Sequence, residues 1–213
     1  ADGHAFHKRY MTLPFEVPDA RYAKTRMTLD GDEGVHDTTA EKLARLKPVL
    51  EGGTVTYGGQ THPADGSTAV VVSTRDKARD LSRNPDIEIR IAGFGQARVE
   101  KAHMPMAPVP ASKRALADAG IAIKDVAAVK SHNPFVVNDL VFAHETGFDI
   151  MAMNNYGCSL VWGHPQGPTG LRAIIELIEE LALRGGGYGL FNGCAAGDSG
   201  MAVVVEVSDK KRS

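Results

Sequence analysis

The chain has 213 residues, 43% of them apolar and 23% charged, a balance suited to a soluble globular protein able to bury a sizeable core. A formal net charge of −2 gives no reason to expect a nucleic-acid partner, and no apolar run reaches the roughly 18 residues of a membrane span. Two cysteines, Cys158 and Cys194, are too few for a disulfide scaffold, and the N-terminal residues lack the basic-then-apolar pattern of a secretory signal, so a reduced, cytoplasmic setting is expected.

Residues 1–36 show no clear period and read as a looped segment. A helix follows, capped by Thr38 with Glu41 completing a capping box and Pro48 as its breaker. Residues 54–57 and 69–72 have the β-branched composition of strands, separated by Gly58-Gly59. Residues 74–81 read as helix and 87–91 as the next strand. The pattern then becomes clearer: helix 112–119 stopped by Gly120, strand 126–129, and helix 138–146. The best helix is 171–184, with Leu171, Ile174, Ile175, Ile178 and Leu181 on one stripe and Gly185 as its stop. Two strands, 189–193 and 201–207, close the chain. The tight turn between them implies an antiparallel pair, and with it a mixed sheet in an α/β fold.

Three polar positions sit in turns at strand or helix ends, where α/β enzymes place catalytic groups. They are Ser131-His132-Asn133-Pro134-Phe135 after a strand, Gly163-His164-Pro165 leading into the long helix, and the turn that begins at Cys194. Singly, each has a plainer reading: a histidine before proline bonds backbone, and a cysteine at a strand end fills a small buried space. His4-x-x-His7 is the one histidine spacing that suggests a metal, and it is weak.

Together the three turns carry a recognisable pattern. Asn154-x-x-Gly157 followed by Gly163-His164-Pro165-x-Gly167-x-x-Gly170-x-Arg172 resembles the penultimate signature of thiolases. Gly185-Gly186-Gly187-Tyr188-Gly189, then Cys194, Gly197, Gly200 and Glu206, resembles their C-terminal signature. Residues 131–135 stand in place of the family's Asn-Glu-Ala-Phe turn or its histidine variants.

The resemblance implies a thiolase-like fold with a mixed five-stranded sheet covered by helices. Residues 1–51 would be the end of a loop domain, 52–86 the last strands and helix of an N-terminal domain, and 87–213 the C-terminal domain. It also implies acyl transfer between a 3-oxoacyl-CoA and CoA, with CoA as substrate and no tightly bound cofactor. His164 matches the histidine that activates the family's nucleophilic cysteine, Cys194 the second cysteine acting as general acid and base, and His132 the residue completing an oxyanion site. Thr61, Phe135, Cys158, Ala196 and Gly197 fall at CoA- or substrate-contacting positions.

Several departures accompany the match. Cys158 replaces a glycine, Pro134 a small residue, and Ala196 a glycine whose N–H lines an oxyanion hole. Trp162 precedes the Gly-His-Pro turn, so Cys158 and Trp162 are expected to narrow the pocket. Neither cysteine matches the nucleophile. The chain is therefore expected to need an N-terminal thiolase half or complementary chain, within a homo- or hetero-oligomer. The alternatives are a non-catalytic thiolase-fold binding or scaffold subunit, and a ketoacyl synthase, against which Cys194 argues.

Overall fold

The structure, a computed structural model, describes residues 5–211 and falls into two compact units, Ala1–Arg45 and Leu46–Ser213. His4 lies outside the described residues. In the first unit a short helix α1 (Ala5–Tyr10) precedes a hairpin of β1 (Phe15–Pro18) against β2 (Thr25–Leu29). The Asp19 carboxylate closes the intervening loop by accepting the backbone N–H groups of Arg21 (3.1 Å) and Ala23 (2.9 Å), the turn chemistry that Asp favours. The unit ends in helix α2 (Ala40–Ala44), capped by Thr39, whose hydroxyl accepts from the Lys42 N–H at 3.2 Å. The expected cap, Thr38, instead donates to the His36 carbonyl.

In the second unit, residues 54–57 and 69–72 form no strand. Thr56 makes a single bridge to Pro48, and a 3-10 turn begins at Tyr57. Residues 69–72 carry no regular structure, and Val71 is 80% exposed. β-Branched residues become strand only where a neighbour takes their backbone hydrogen bonds, and no described strand lies beside these segments. The main sheet accordingly has four strands rather than the expected five.

Helix α3 (Arg75–Leu81) leads into β3 (Ile87–Arg98), then α4 (Pro108–Ala119), β4 (Val126–His132) and α5 (Val136–Thr146). A one-turn helix α6 (Ser159–Trp162) precedes the long α7 (Pro168–Arg184), and β5 (Gly186–Ala195) and β6 (Ser199–Asp209) complete the unit. The strand order is β3-β6-β5-β4. β4 and β5 are parallel, and β6 runs antiparallel to both of its neighbours.

Helices cover both faces of the sheet. α4 presents Val109, Ala111, Ala115 and Leu116 to one core together with Phe142 of α5, while α7 presents Ala173, Leu177 and Leu181 to Ala128, Phe191, Val205 and Val207 on the other. Leu177 and Leu181 are fully buried, each contributing about 1.5–3 kcal/mol of apolar burial. The three-layer unit therefore fixes β4 and β5 side by side, with their C-terminal ends on one edge.

Candidate active site

Parallel pairing of β4 with β5 sets His132 opposite Gly193, so Cys194 is the next residue along the adjacent strand. Both strand ends open to the same edge, where open α/β sheets bind ligands. His132 is 9% exposed and Cys194 7% exposed.

His164 arrives from a different direction. Its backbone N–H donates to the His62 carbonyl at 2.8 Å, and Pro63 and His164 form a parallel bridge. Gly163, at φ +78°, makes this approach possible: a Cβ there would lie 2.7 Å from the Ala64 Cβ. The His164 ring comes to rest 4.3 Å, centroid to centroid, from the His132 ring. Each imidazole is held at Nδ1 by a hydroxyl, His132 by Ser159 Oγ (2.9 Å) and His164 by Thr169 Oγ1 (2.7 Å).

Burial, aided by the neighbouring His164 and Arg172, lowers the His132 pKa to about 4. Burial and then Arg172 lower that of His164. Both rings are thus neutral at pH 7, where imidazole nitrogens can donate or accept protons. Burial raises the Cys194 pKa, and a hydrogen bond from Asn138 Nδ2 to Sγ (3.4 Å) opposes the rise. Cys194 is therefore a thiol at neutral pH, able to give up a proton.

A buried polar network supports the His132 turn. The Asp139 carboxylate accepts from Ser131 Oγ (2.5 Å), Asn133 Nδ2 (2.5 Å) and Asn154 Nδ2 (3.2 Å). Burial nonetheless leaves its pKa raised. Beneath the turn, Lys130, 1% exposed, donates to the Gly157 carbonyl (2.9 Å) and pairs with Glu176 (3.2 Å). It thereby ties β4 to α7 and to the loop before α6.

His132, His164 and Cys194 line one cavity of about 930 Å³, with Phe135, Pro134, Met104 and Ala196 also in its wall. Ala196 does not have positive φ. The left-handed residues of that turn are Gly197 (+79°) and Asp198 (+56°), so alanine keeps the backbone N–H without strain.

Three expected contact residues do not line the cavity. The Thr61 hydroxyl donates to the Ser159 carbonyl, Cys158 caps α6, and the Gly197 carbonyl accepts from Arg98 Nε at 2.9 Å. Trp162 lies outside the lining as well, its indole donating to the Tyr156 carbonyl at 3.2 Å. Cys158 and Trp162, expected to narrow the pocket, therefore do not line this cavity, whereas Pro134 does. Burial raises the Cys158 pKa, against a hydrogen bond from Asn133, as for a packed thiol. Among the described residues no group of three or more His, Cys, Asp or Glu side chains is arranged to hold a metal ion.

Sequence reasoning missed Asn138, Ser159 and Thr169, which hydrogen-bond Cys194, His132 and His164, and Asp139, which holds Ser131 and Asn133 on either side of His132. Thr169, five residues after His164 in the helix-opening turn, was the one with a usable spacing.

A family model described as "Thiolase, C-terminal domain" matches residues 86–207. Human mitochondrial 3-ketoacyl-CoA thiolase is 33% identical over 195 residues, 91% of this chain and 48% of that protein. The acetyl-CoA acetyltransferase of Allochromatium vinosum is 32% identical over 196 residues, 91% and 49% of the two chains. Among solved structures, human mitochondrial 3-ketoacyl-CoA thiolase in complex with CoA superposes with a TM-score of 0.78 at 34% identity, covering 84% of this chain and 46% of that one. The Bacillus anthracis acetyl-CoA acetyltransferase gives 0.82 at 31% identity, covering 92% and 49%. The chain spans about half the length of the curated relatives it matches.

Proposed function

The chain belongs to the thiolase family, and from that premise we propose that it supplies the acid–base half of an acyl-CoA C-acyltransferase site. The observation that carries this reading is the convergence of His132, His164 and Cys194 on one cavity, with the remaining cysteine, Cys158, outside it. The nucleophilic thiol is then supplied by an N-terminal thiolase half, on the same longer polypeptide or on a complementary chain. Within such an enzyme residues 1–51 correspond to the end of the loop domain, 52–86 to the tail of the N-terminal domain, and 87–213 to the C-terminal domain.

In the thiolytic direction the N-terminal thiolate adds to the 3-oxo carbonyl of the substrate, while the His132 and His164 rings face the thioester oxygen, which gains negative charge as the acetyl-CoA enolate forms. The bond between C2 and C3 then breaks, leaving the acyl group on the nucleophile. The departing acetyl-CoA enolate takes its proton from the Cys194 thiol. CoA next gives up its thiol proton to the Cys194 thiolate and attacks the acyl-enzyme, releasing the shortened acyl-CoA and freeing the nucleophile. The same steps reversed give Claisen condensation.

The uncovered part of the sheet supports the need for a second half. Ile89, Ile91 and Phe94 of β3 and Met201 of β6 are 46–60% exposed. They pair with, or lie in line with, the residues of β6 that α7 covers. A contiguous apolar strip of this kind marks a protein contact, and here the N-terminal half is its occupant, within a homo- or hetero-oligomer. No described helix is long and apolar enough to cross a membrane.

Cys194→Ser in the assembled enzyme tests the assignment. Solvent hydrogen exchange at the α-carbon of acetyl-CoA should fall about 10²–10⁴-fold while acylation of the N-terminal cysteine persists. Undiminished exchange would remove Cys194 from the reaction.

A further inference from the structure

Ser159 opens α6 and is 1% exposed. Among the described residues its hydroxyl has one hydrogen-bond partner, Nδ1 of His132. Its backbone carbonyl is already occupied, accepting the Thr61 hydroxyl and the Gly163 N–H. One residue therefore joins the 59–63 loop, the Gly-His-Pro turn and the end of β4.

A buried hydroxyl places its hydrogen on an acceptor. If Ser159 accepted a proton-bearing Nδ1, its own hydrogen would have no partner. If it donates, Nδ1 is the acceptor and the ring proton sits on Nε2. Nε2 has no protein partner among the described residues, and His132 lines the cavity whereas Ser159 stands behind the ring.

We propose that Ser159 is a positioning residue that fixes His132 as the Nε2–H tautomer and directs that N–H into the cavity. Thr169, 2% exposed, makes the same hydroxyl bond to Nδ1 of His164, although unlike Ser159 it also lines the cavity. The two rings, 4.3 Å apart, then offer two neutral N–H donors to one space. That pair suits an oxygen gaining negative charge, such as a thioester oxyanion. This catalytic meaning rests on the acyl-transfer reading, whereas the tautomer does not.

The test is two-bond ¹H–¹⁵N NMR on histidine-labelled protein at pH 7. The wild type should show His132 predominantly with an unprotonated Nδ1 and a protonated Nε2. Ser159→Ala should shift the tautomer ratio about fivefold or more toward Nδ1–H, the worth of one hydrogen bond, and Ser159→Thr should restore it. In the assembled enzyme Ser159→Ala should lower kcat about tenfold or more with KM held, again recovered by Ser159→Thr. A wild-type proton on Nδ1 overturns the assignment and needs no variant to fold. A tautomer ratio or kcat indifferent to Ser159→Ala overturns it too. Absence of thiolysis in every assembly would instead remove the acyl-transfer reading and leave the tautomer result standing.

Discussion

Acidification should unfold this protein partly through His132. Its folded pKa is about 4 against an ordinary value of 6.5, so between these values the unfolded chain binds a proton that the folded protein refuses. A depressed histidine pKa contributes stability that is present above pH 6.5 and lost as pH falls through 4. With one pKa unit worth about 1.4 kcal/mol, the loss is about 2 kcal/mol between pH 7.5 and 5, approaching about 3 kcal/mol below pH 4. The lowered pKa of His164 acts in the same direction, and the raised pKa of Asp139 acts oppositely, favouring the fold at low pH. His132→Asn isolates the first contribution. Urea titrations of both proteins at pH 7.5, 6 and 5 should show the gap between them closing by about 2 kcal/mol as pH falls. A gap independent of pH, or an NMR titration of His132 with a midpoint near 6.5, would refute the reasoning.

Lys130→Met should cost about 3–5 kcal/mol in urea unfolding, because it strips a buried partner from Glu176 and the donor from the Gly157 carbonyl; a near-neutral result would mean the pair is dispensable. Gly163→Ala should cost about 1–3 kcal/mol through its left-handed backbone alone, and should also separate the His132 and His164 rings, seen as loss of inter-ring NOEs. Asn138→Ala removes the bond that opposes the rise in the Cys194 pKa, so the pH midpoint of alkylation at Cys194 should move upward. A downward shift would contradict the geometry. His164→Ala in the assembled enzyme should reduce kcat about 10²–10³-fold, the usual loss for one oxyanion donor.

The readable elements were those whose own side chains announce a buried face. α7 shows its stripe in the sequence, and starts at Pro168 rather than Leu171 because proline is well suited to the first helical position. β3 was read only as far as Ile91, yet it continues to Arg98, since Gly93 and Gly95 interrupt its apolar pattern. The hairpin of β1 and β2 is short and mostly exposed, so no burial pattern marks it. The residues at 54–57 and 69–72 failed in the opposite sense, carrying strand composition with no described strand to pair with. At the site, His132, His164 and Cys194 were legible as motifs in turns. Ser159 and Asp139 were not, because a lone polar residue on a helix gains its role only when the chain between β4 and β5 folds it against the strand end.

The most direct measurement is thiolysis of acetoacetyl-CoA by the 213-residue chain, alone and after addition of an N-terminal thiolase half bearing the nucleophilic cysteine. The account predicts no turnover from the chain alone, and turnover on assembly that disappears with Cys194→Ser. Robust turnover by the chain alone would contradict it.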